Sequence, residues 1–283
     1  MQKKPMLRLA LLLVSICTAW LVVGSDPARA EVLSEMPPAT LAPHANQIFL
    51  PQMGRGPGTV QTAACPTQSS AAYGTVPALG QLGRPAAQSG DVNLALRGYR
   101  ATAAPLGLID WNGNTDPNAP QIAAVFADRR APRFTSAYRV YDWDWACGTD
   151  GCKGQPLTHW PVTLVGLQSQ PHEAIHIPAR GLQIYNGGYI ALVLYAEETR
   201  LTVTYTRDDS PARGYVVHLE DFCVDPTLLA HYRQLDAAGR RQLPALRPQD
   251  PVGTAAPHPI KIAIRDEGSF MDPRSHKDWW AGY

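Results

Sequence analysis

The sequence predicts a mostly β domain, built from antiparallel strands with one inserted α-helix. Residues 173–207 contain three apolar runs with alternating spacing, each closed by a turn, and such alternation is typical of half-buried strands. Further runs of this kind follow before and after them. Residues 226–239 alone combine a long helical spacing with clear start and stop signals.

The first 30 residues have the layout of a secretory signal peptide. Lys3, Lys4 and Arg8 form a basic region, residues 9–23 form an apolar run, and residues 28–30 (ARA) give a small-x-small cleavage site. The alternative is an uncleaved single-span anchor, because the run approaches membrane length. We expect cleavage, which predicts a secreted protein or one of the periplasm or cell envelope. On this interpretation only the leader contacts a membrane, before it is removed.

The charge of the mature chain excludes two classes of partner. The full chain has 25 basic and 24 acidic residues, and the leader contains four of the former and one of the latter. Removal of the leader therefore leaves 21 basic and 23 acidic residues, a net charge of −2. Such a chain has no basic surface for nucleic acid or anionic lipid, and we expect neither as a partner.

Four of the five cysteines follow the leader: Cys65, Cys147, Cys152 and Cys223. An even number in an exported protein predicts two disulfides, for which three connectivities exist. Cys147 and Cys152 enclose a natural small loop, which leaves Cys65 to pair with Cys223. A four-cysteine zinc site is the competing interpretation, and an oxidising compartment disfavours it.

The remaining chain divides at about residue 90. Residues 31–90 are rich in Pro, Ala and Gly without a sustained apolar period, and we expect an extended segment. A mostly β domain is predicted over residues 91–283. Its expected strands lie at residues 91–100, 138–141, 162–167, 173–178, 189–196, 201–205, 214–220 and 260–264.

Two helices are predicted within this domain. A short one over residues 122–126 has apolar residues at helical spacing, and Pro132 limits its length. The longer one starts at Asp225, a good N-cap, with Pro226 in the first turn, and Gly239 marks its end. Its apolar face consists of Leu228, Leu229, Tyr232 and Leu235.

His172 and His176 match the HExxH pattern, which on a helix places two histidines on one zinc ion. Pro171 and Pro178 bracket the motif and leave room for two helical turns at most, and the residues between them alternate like a strand. In a strand the two histidines lie about 13 Å apart, at roughly 3.3 Å per residue. That separation is too large for one metal ion, so we expect no zinc site here.

Several motifs occur in a familiar order between residues 136 and 280. Their order and spacing resemble the M23 family of lysostaphin-type zinc peptidoglycan endopeptidases. The resemblance covers about half of the chain and implies an antiparallel β-sheet or β-sandwich of the duplicated hybrid motif type. The motifs are HWPVTL (159–164), EAIHIPARGLQI (173–184), GGYIALVLYAEETRLTVTYTR (187–207), LRPQDPVGTA (246–255) and IKIAIRDEGSFMDPR (260–274).

The same resemblance shows that the family's metal ligands are substituted. His159 occupies the position of the first zinc histidine, but Thr163 replaces the zinc aspartate, and a hydroxyl is a poor zinc ligand. Arg207 replaces the hairpin histidine, and Pro259 and Lys261 replace the last pair. We therefore predict no metal or other cofactor and no endopeptidase activity. Arg207 and Lys261 become candidates to hold an anionic group such as a stem-peptide carboxylate.

Four tryptophans have two interpretations. Trp143, Trp145, Trp279 and Trp280 could stack on sugar rings, since aromatic side chains are amphipathic. We favour the second interpretation, in which they close a small core near the chain end. Trp143 and Trp145 stay candidate ligand-binding residues.

The leading hypothesis is a degenerate M23-like domain that acts as a non-catalytic binding or scaffolding module for peptidoglycan or an envelope partner. One alternative is an active zinc hydrolase with displaced ligands, for which His159, His218 and His258 are the candidates. Another is a sugar-binding β module built on the tryptophans.

Overall fold

The computed structural model describes residues 65–283, and all structural statements below concern these residues. The predicted signal peptide and residues 31–64 of the predicted extended segment lie outside them. The strands are β1 (Gly74–Pro77), β2 (Tyr99–Ala101), β3 (Phe134–Asp144), β4 (Cys152–Pro156), β5 (Leu164–Leu167), β6 (Ala174–Ile175), β7 (Ala191–Glu197), β8 (Arg200–Thr204), β9 (Tyr215–Glu220), β10 (Phe222–Val224), β11 (Gln242–Leu246), β12 (Gly253–Ala255), β13 (Ile260–Asp266) and β14 (Ser269–Phe270).

The helices are fewer and shorter. Two are 3₁₀ turns, η1 (Ala86–Gln88) and η2 (Ile122–Val125), and three are α-helical, α1 (Leu94–Arg97), α2 (Pro226–Ala237) and α3 (His276–Trp279). Only α2 exceeds a single turn in residues 65–283. The prediction of a mostly β chain with one long helix is confirmed. Within the described range no helix has both the length and the apolarity needed to cross a bilayer.

An eleven-stranded antiparallel sheet forms the body of the structure. Its main path runs β1-β11-β7-β8-β9-β13-β5-β3-β2, with β14 beside β13 and β4 beside β3. A second sheet of three antiparallel strands, β10-β12-β6, lies off this path. The central hairpin β7–β8 matches the one predicted from the alternating runs at 189–196 and 201–205.

The central strands separate apolar and polar residues onto two faces, as alternation predicts. Leu201, Val217 and Ile264 belong to the fully buried core on one face. On the other face, Thr202 pairs with His218 across β8 and β9, and Ala263 of β13 lies on the far side of that histidine. The second face therefore combines polar side chains with a smaller apolar cluster that includes Ala263 and Phe270, and His218 is fully buried there.

Helix α2 follows the capping rules that predicted it. The side chain of Asp225 accepts hydrogen bonds from the backbone N–H groups of Thr227 and Leu228, at 2.8 and 3.1 Å. The helix ends two residues before Gly239, which has a φ of 90°. Its buried side chains are Leu228, Leu229 and Tyr232.

Both predicted disulfides are present. Cys65 is bonded to Cys223 and Cys147 to Cys152, with Cα–Cα distances of 5.3 and 5.5 Å. The first bond fastens the start of the described chain to β10. Strand β1 then pairs with β11 at the edge of the large sheet. Residues 65–90, predicted as part of an extended segment before the domain, thus supply an edge strand and a disulfide to it.

Three predicted elements differ in type or length. Residues 91–100 form α1 and the start of β2 rather than one strand, because the Asn93 side chain caps α1 by accepting from the N–H of Ala95 at 3.2 Å. The short helix over 122–126 is the 3₁₀ turn η2. The strand predicted at 173–178 shrinks to the two residues of β6, which pair with β12.

Candidate functional site

The hairpin β3–β4 ends in a pair of tryptophans, of which Trp143 is half-buried and Trp145 is exposed. Trp143 is the tenth residue of β3, and Trp145 lies just before the small loop that the Cys147–Cys152 disulfide closes. The two indole rings meet edge to face with centroids 6.1 Å apart. Trp145 is 43% exposed. The expectation of a closed core is therefore wrong for Trp145, whereas Trp279 and Trp280, 2% and 0% exposed, confirm it for the chain end.

Two glycines hold the Trp143 ring in place. A Cβ at Gly90 would lie 2.5 Å from the ring, and one at Gly151 would lie 2.3 Å from it, so neither position has room for a side chain. Gly151 also has a φ of 79°, which favours glycine. The indole N–H of Trp143 donates to the carbonyl of Asp150 at 3.1 Å. The ring is thus fixed before any ligand arrives.

Charged groups surround this pair. The Arg84 guanidinium carbon lies 4.3 Å from the ring centroid of Trp145, a distance at which the cation and ring attract each other. The carboxylates of Asp142 and Asp144 accept hydrogen bonds from backbone N–H groups of the same loop, at 2.8 and 2.9 Å. The tip combines an exposed aromatic face with hydrogen-bonding groups beside it.

The histidines that the zinc alternative requires are not brought together. His159 Nε2 lies 2.6 Å from the carbonyl oxygen of Phe270, and the ring of His218 stacks on that phenylalanine's ring at 5.8 Å. His258 is exposed in the segment before β13. Residues 65–283 contain no group of three or more His, Cys, Asp or Glu side chains placed to hold a metal. Thr163 does not serve as a metal ligand here either, because its hydroxyl oxygen accepts a hydrogen bond from the buried N–H of Val140 at 2.8 Å.

The HExxH motif is not helical, as predicted. His172 lies in a turn with a φ of 68°, and His176 follows the two residues of β6. The backbone N–H of His176 donates to the carbonyl of Val125 at 2.9 Å. The motif therefore forms part of a strand connection rather than a zinc helix.

Arg207 and Lys261 lie at opposite ends of the central strands, whereas the prediction placed them together in one anion site. Glu220 of β9 pairs with Lys261 of β13 on one side and with the first residue of β8 on the other, so Lys261 lies level with the start of β8. Arg207 follows the last residue of β8, at the other end of that strand. Lys261 is also neutralised by an ion pair with Asp221. Arg207 donates from Nε to the carbonyl of Pro77 at 3.2 Å. The register of β8, β9 and β13 thus places the two cations at opposite ends of the sheet.

His218 and Glu220 are buried titratable groups on the same face of β9. Burial, and then the nearby cations Arg265 and Arg97, hold the pKa of His218 well below its usual range. Burial raises the pKa of Glu220 to about 7, although Arg200 lies 3.4 Å away and opposes the shift. In the described part of the chain, Nε2 of His218 and Oε1 of Glu220 have no hydrogen-bond partner.

His218 is a candidate ligand in the sequence-based prediction, whereas Glu220 is absent from it. The available signal was the alternation of polar residues along β9, where the two side chains are two residues apart and share a face. Polar alternation along a strand usually marks its solvent side. Here the segment around Asp91 covers it, as its carboxylate pairs with Arg97 at 2.6 Å and with Arg265 at 3.0 Å.

Comparison with known proteins adds no relative. No family model, curated protein or solved structure matches this chain.

Proposed function

We propose that the protein is an exported, non-catalytic binding module of the cell envelope that holds glycan chains of peptidoglycan on the tip of hairpin β3–β4. The observation that carries the proposal is the pair Trp143 and Trp145, of which the second is 43% exposed beside a disulfide-closed loop. The M23 resemblance and the leader support the choice of peptidoglycan and of the envelope.

The chemistry of the tip suits a sugar. The apolar C–H face of a pyranose ring packs on an indole face, and the sugar hydroxyls need hydrogen-bond partners around it. Trp145 supplies the accessible ring, and the carboxylates of Asp142, Asp144 and Asp150 supply acceptors nearby. Because Trp143 is fixed between two glycines and the loop is closed covalently, binding orders few side chains and loses little entropy.

The test is co-sedimentation of the purified protein with cell-wall sacculi. Loss of one stacking ring removes about 1 kcal/mol, so we expect Trp145→Ala to bind about fivefold more weakly. Tyr185→Ala is the matched control, because Tyr185 is another exposed aromatic residue, 40% accessible, on the turn before β7. It should bind like the wild type.

The same sacculi distinguish the zinc alternative. A binding module retains its affinity in EDTA and releases no soluble muropeptides. Equal sedimentation of Trp145→Ala and the wild type would contradict the glycan site. Release of muropeptides that EDTA stops and His159→Ala abolishes would establish a hydrolase instead.

A further inference from the structure

A groove runs beside η2, on a part of the molecule distinct from the hairpin tip. It consists of two adjoining cavities of about 320 and 410 Å³, which share Arg129 and Pro248. His176 and Gln249 line the first cavity, and Arg180 lines the second. We refer to the whole as the Arg129–Arg180 groove. Its size lies in the range of pockets that enclose small organic ligands.

The charged groups of the groove have one sign. Both guanidinium groups line it, while none of the side chains that line these two cavities is an Asp or Glu. Within residues 65–283, neither arginine makes an ion pair: Arg129 is exposed, and Arg180 approaches only the carbonyl of Tyr205, at 3.5 Å. Two carboxylates lie near the groove without lining it, and both have partners. Asp116 accepts from Tyr215 Oη at 3.0 Å and the N–H of Asn118 at 2.8 Å, and Asp250 accepts from the N–H of Arg247 at 2.8 Å.

Two buried polar atoms beside the groove lack partners. These are Nε of Arg180 and Nδ1 of His176, which are hidden from solvent and make no hydrogen bond in the described chain. A buried donor that stays unsatisfied costs about 1–3 kcal/mol, and more when it is charged. Folded proteins seldom leave such atoms unpaired, so an ordered water or a bound ligand supplies the partner that each of them needs.

The fold holds these donors in position. The Arg180 guanidinium lies over the rings of Tyr205 and Tyr215, at 5.9 and 5.8 Å. Its neighbour Ala179 is tied to η2, because the N–H of Gln121 donates to the Ala179 carbonyl at 2.8 Å. A planar cation that is stacked in this way presents its N–H fork in a fixed direction, which suits a carboxylate.

The walls between the cations are made of small side chains. Six alanines line the two cavities. Their methyl groups make the walls beside the arginines apolar and leave the space between the walls open. The alanines are Ala119, Ala123, Ala124, Ala127, Ala179 and Ala281. A short peptide with small side chains fits cavities of about 320 and 410 Å³ and can bring its backbone close to these walls, which a bulky aromatic ligand cannot.

We infer that the Arg129–Arg180 groove binds the free carboxylate end of a short peptide with small side chains. The carboxylate lies between the guanidinium groups of Arg180 and Arg129, and the His176 ring provides a further hydrogen bond. The peptide backbone and its small side chains occupy the alanine-lined space. This site is independent of the glycan site on the hairpin, so either can fail without the other.

The test is calorimetric titration of the full-length mature protein with N-acetyl-alanyl-alanine, with its C-terminal amide and with inorganic phosphate. We expect the free acid to bind, with an affinity that falls as salt is added. The amide should bind at least tenfold more weakly, because it lacks the charge. Trp145→Ala should bind the free acid like the wild type.

Three arginine variants complete the experiment. Arg180→Gln and Arg129→Gln should each weaken binding of the free acid at least tenfold. Arg129 is exposed, so its variant keeps the test valid if Arg180→Gln fails to fold. Arg213→Gln, an equal change at another exposed arginine, should have no effect. Four results would overturn the inference. They are equal binding of the acid and the amide, binding of phosphate alone, no binding at millimolar peptide, and wild-type affinity in both groove variants.

Discussion

The guanidinium of Arg240 holds the carboxylate of Asp209 through two hydrogen bonds of 2.7 and 2.9 Å. Asp209 is 1% exposed and lies in the connection between β8 and β9. Arg240 follows α2 with a φ of 60° and also donates to the carbonyl of Leu194 in β7 at 2.8 Å. One buried ion pair therefore fastens the end of the long helix to the centre of the large sheet.

We predict that Asp209→Asn strongly destabilises the fold. The change leaves the buried Arg240 charge without its main partner, and breaking a buried pair from one side costs about 3–5 kcal/mol. Urea unfolding at pH 7 measures the loss. Asp236→Asn is the matched control, because that carboxylate also pairs with Arg240 but its side chain is 39% exposed, and exposed pairs contribute about 0–1 kcal/mol. Equal losses in the two variants would contradict this account.

A second prediction concerns pH and the pair Glu220 and His218. Burial raises the pKa of Glu220 from 4.5 to about 7, so the folded protein binds this proton more tightly than the unfolded chain. Its contribution to stability, roughly 3 kcal/mol, is complete below pH 4.5 and is lost as the pH rises to 7. The pKa of His218 is lowered from 6.5. The folded protein therefore binds this proton less tightly than the unfolded chain. The stability that neutral His218 contributes is complete above pH 6.5 and is lost on acidification.

The two effects on stability oppose each other between pH 4.5 and 6.5. Removing one titrating group should therefore leave the pH dependence of the other one visible. Glu220→Gln should lose stability as the pH falls from 6.5, by up to about 1.4 kcal/mol per pH unit. His218→Asn should gain stability over the same interval. Arg265 stays cationic throughout, since burial lowers its pKa only to about 10. Urea unfolding at several pH values measures both, and two variant profiles parallel to that of the wild type would disprove the assignment.

The third prediction ranks the two disulfides. Non-reducing peptide mapping should recover Cys65 with Cys223 and Cys147 with Cys152. In the chain-entropy model, the stabilisation grows with the length of the closed loop. The first bond spans a sequence separation of 158 residues and the second one of 5. Replacing both cysteines by serine should cost about 5 kcal/mol for the first bond and about 2 kcal/mol for the second. The opposite ranking in thermal unfolding would count against the loop argument.

Sequence patterns predicted those parts of the fold that local spacing determines. Hairpin β7–β8 and helix α2 follow from alternation and capping within a few residues, and their bounds differ from prediction by only a few positions. Strand β1, with the sequence GTVP, has no such period. It becomes a strand only because β11, far downstream, offers an edge. The fold type was therefore predictable, whereas this edge was not.

The candidate sites were predictable to a smaller degree. Trp143 and Trp145 stand out as aromatic residues beside a short cysteine loop, but the exposure of Trp145 appears only in the folded hairpin. Arg129 and Arg180 have no relation in the sequence, because they line one groove only after η2 packs beside the segment that follows β6. Arg207 and Lys261 illustrate the reverse case, since a shared face was expected and strand register separates them.

The pairing of β1 with β11 also determines the order in which the protein is completed during synthesis. The ribosome releases Cys65 and β1 well before their partners, since Cys223 follows Cys65 by 158 residues and β11 lies further downstream still. Contacts of such high sequence separation form slowly and late. A nascent chain therefore carries an unpaired edge strand and an unpaired thiol until the segment with Cys223 and β11 has been synthesised. The Cys147–Cys152 loop, with a sequence separation of 5, needs no such wait.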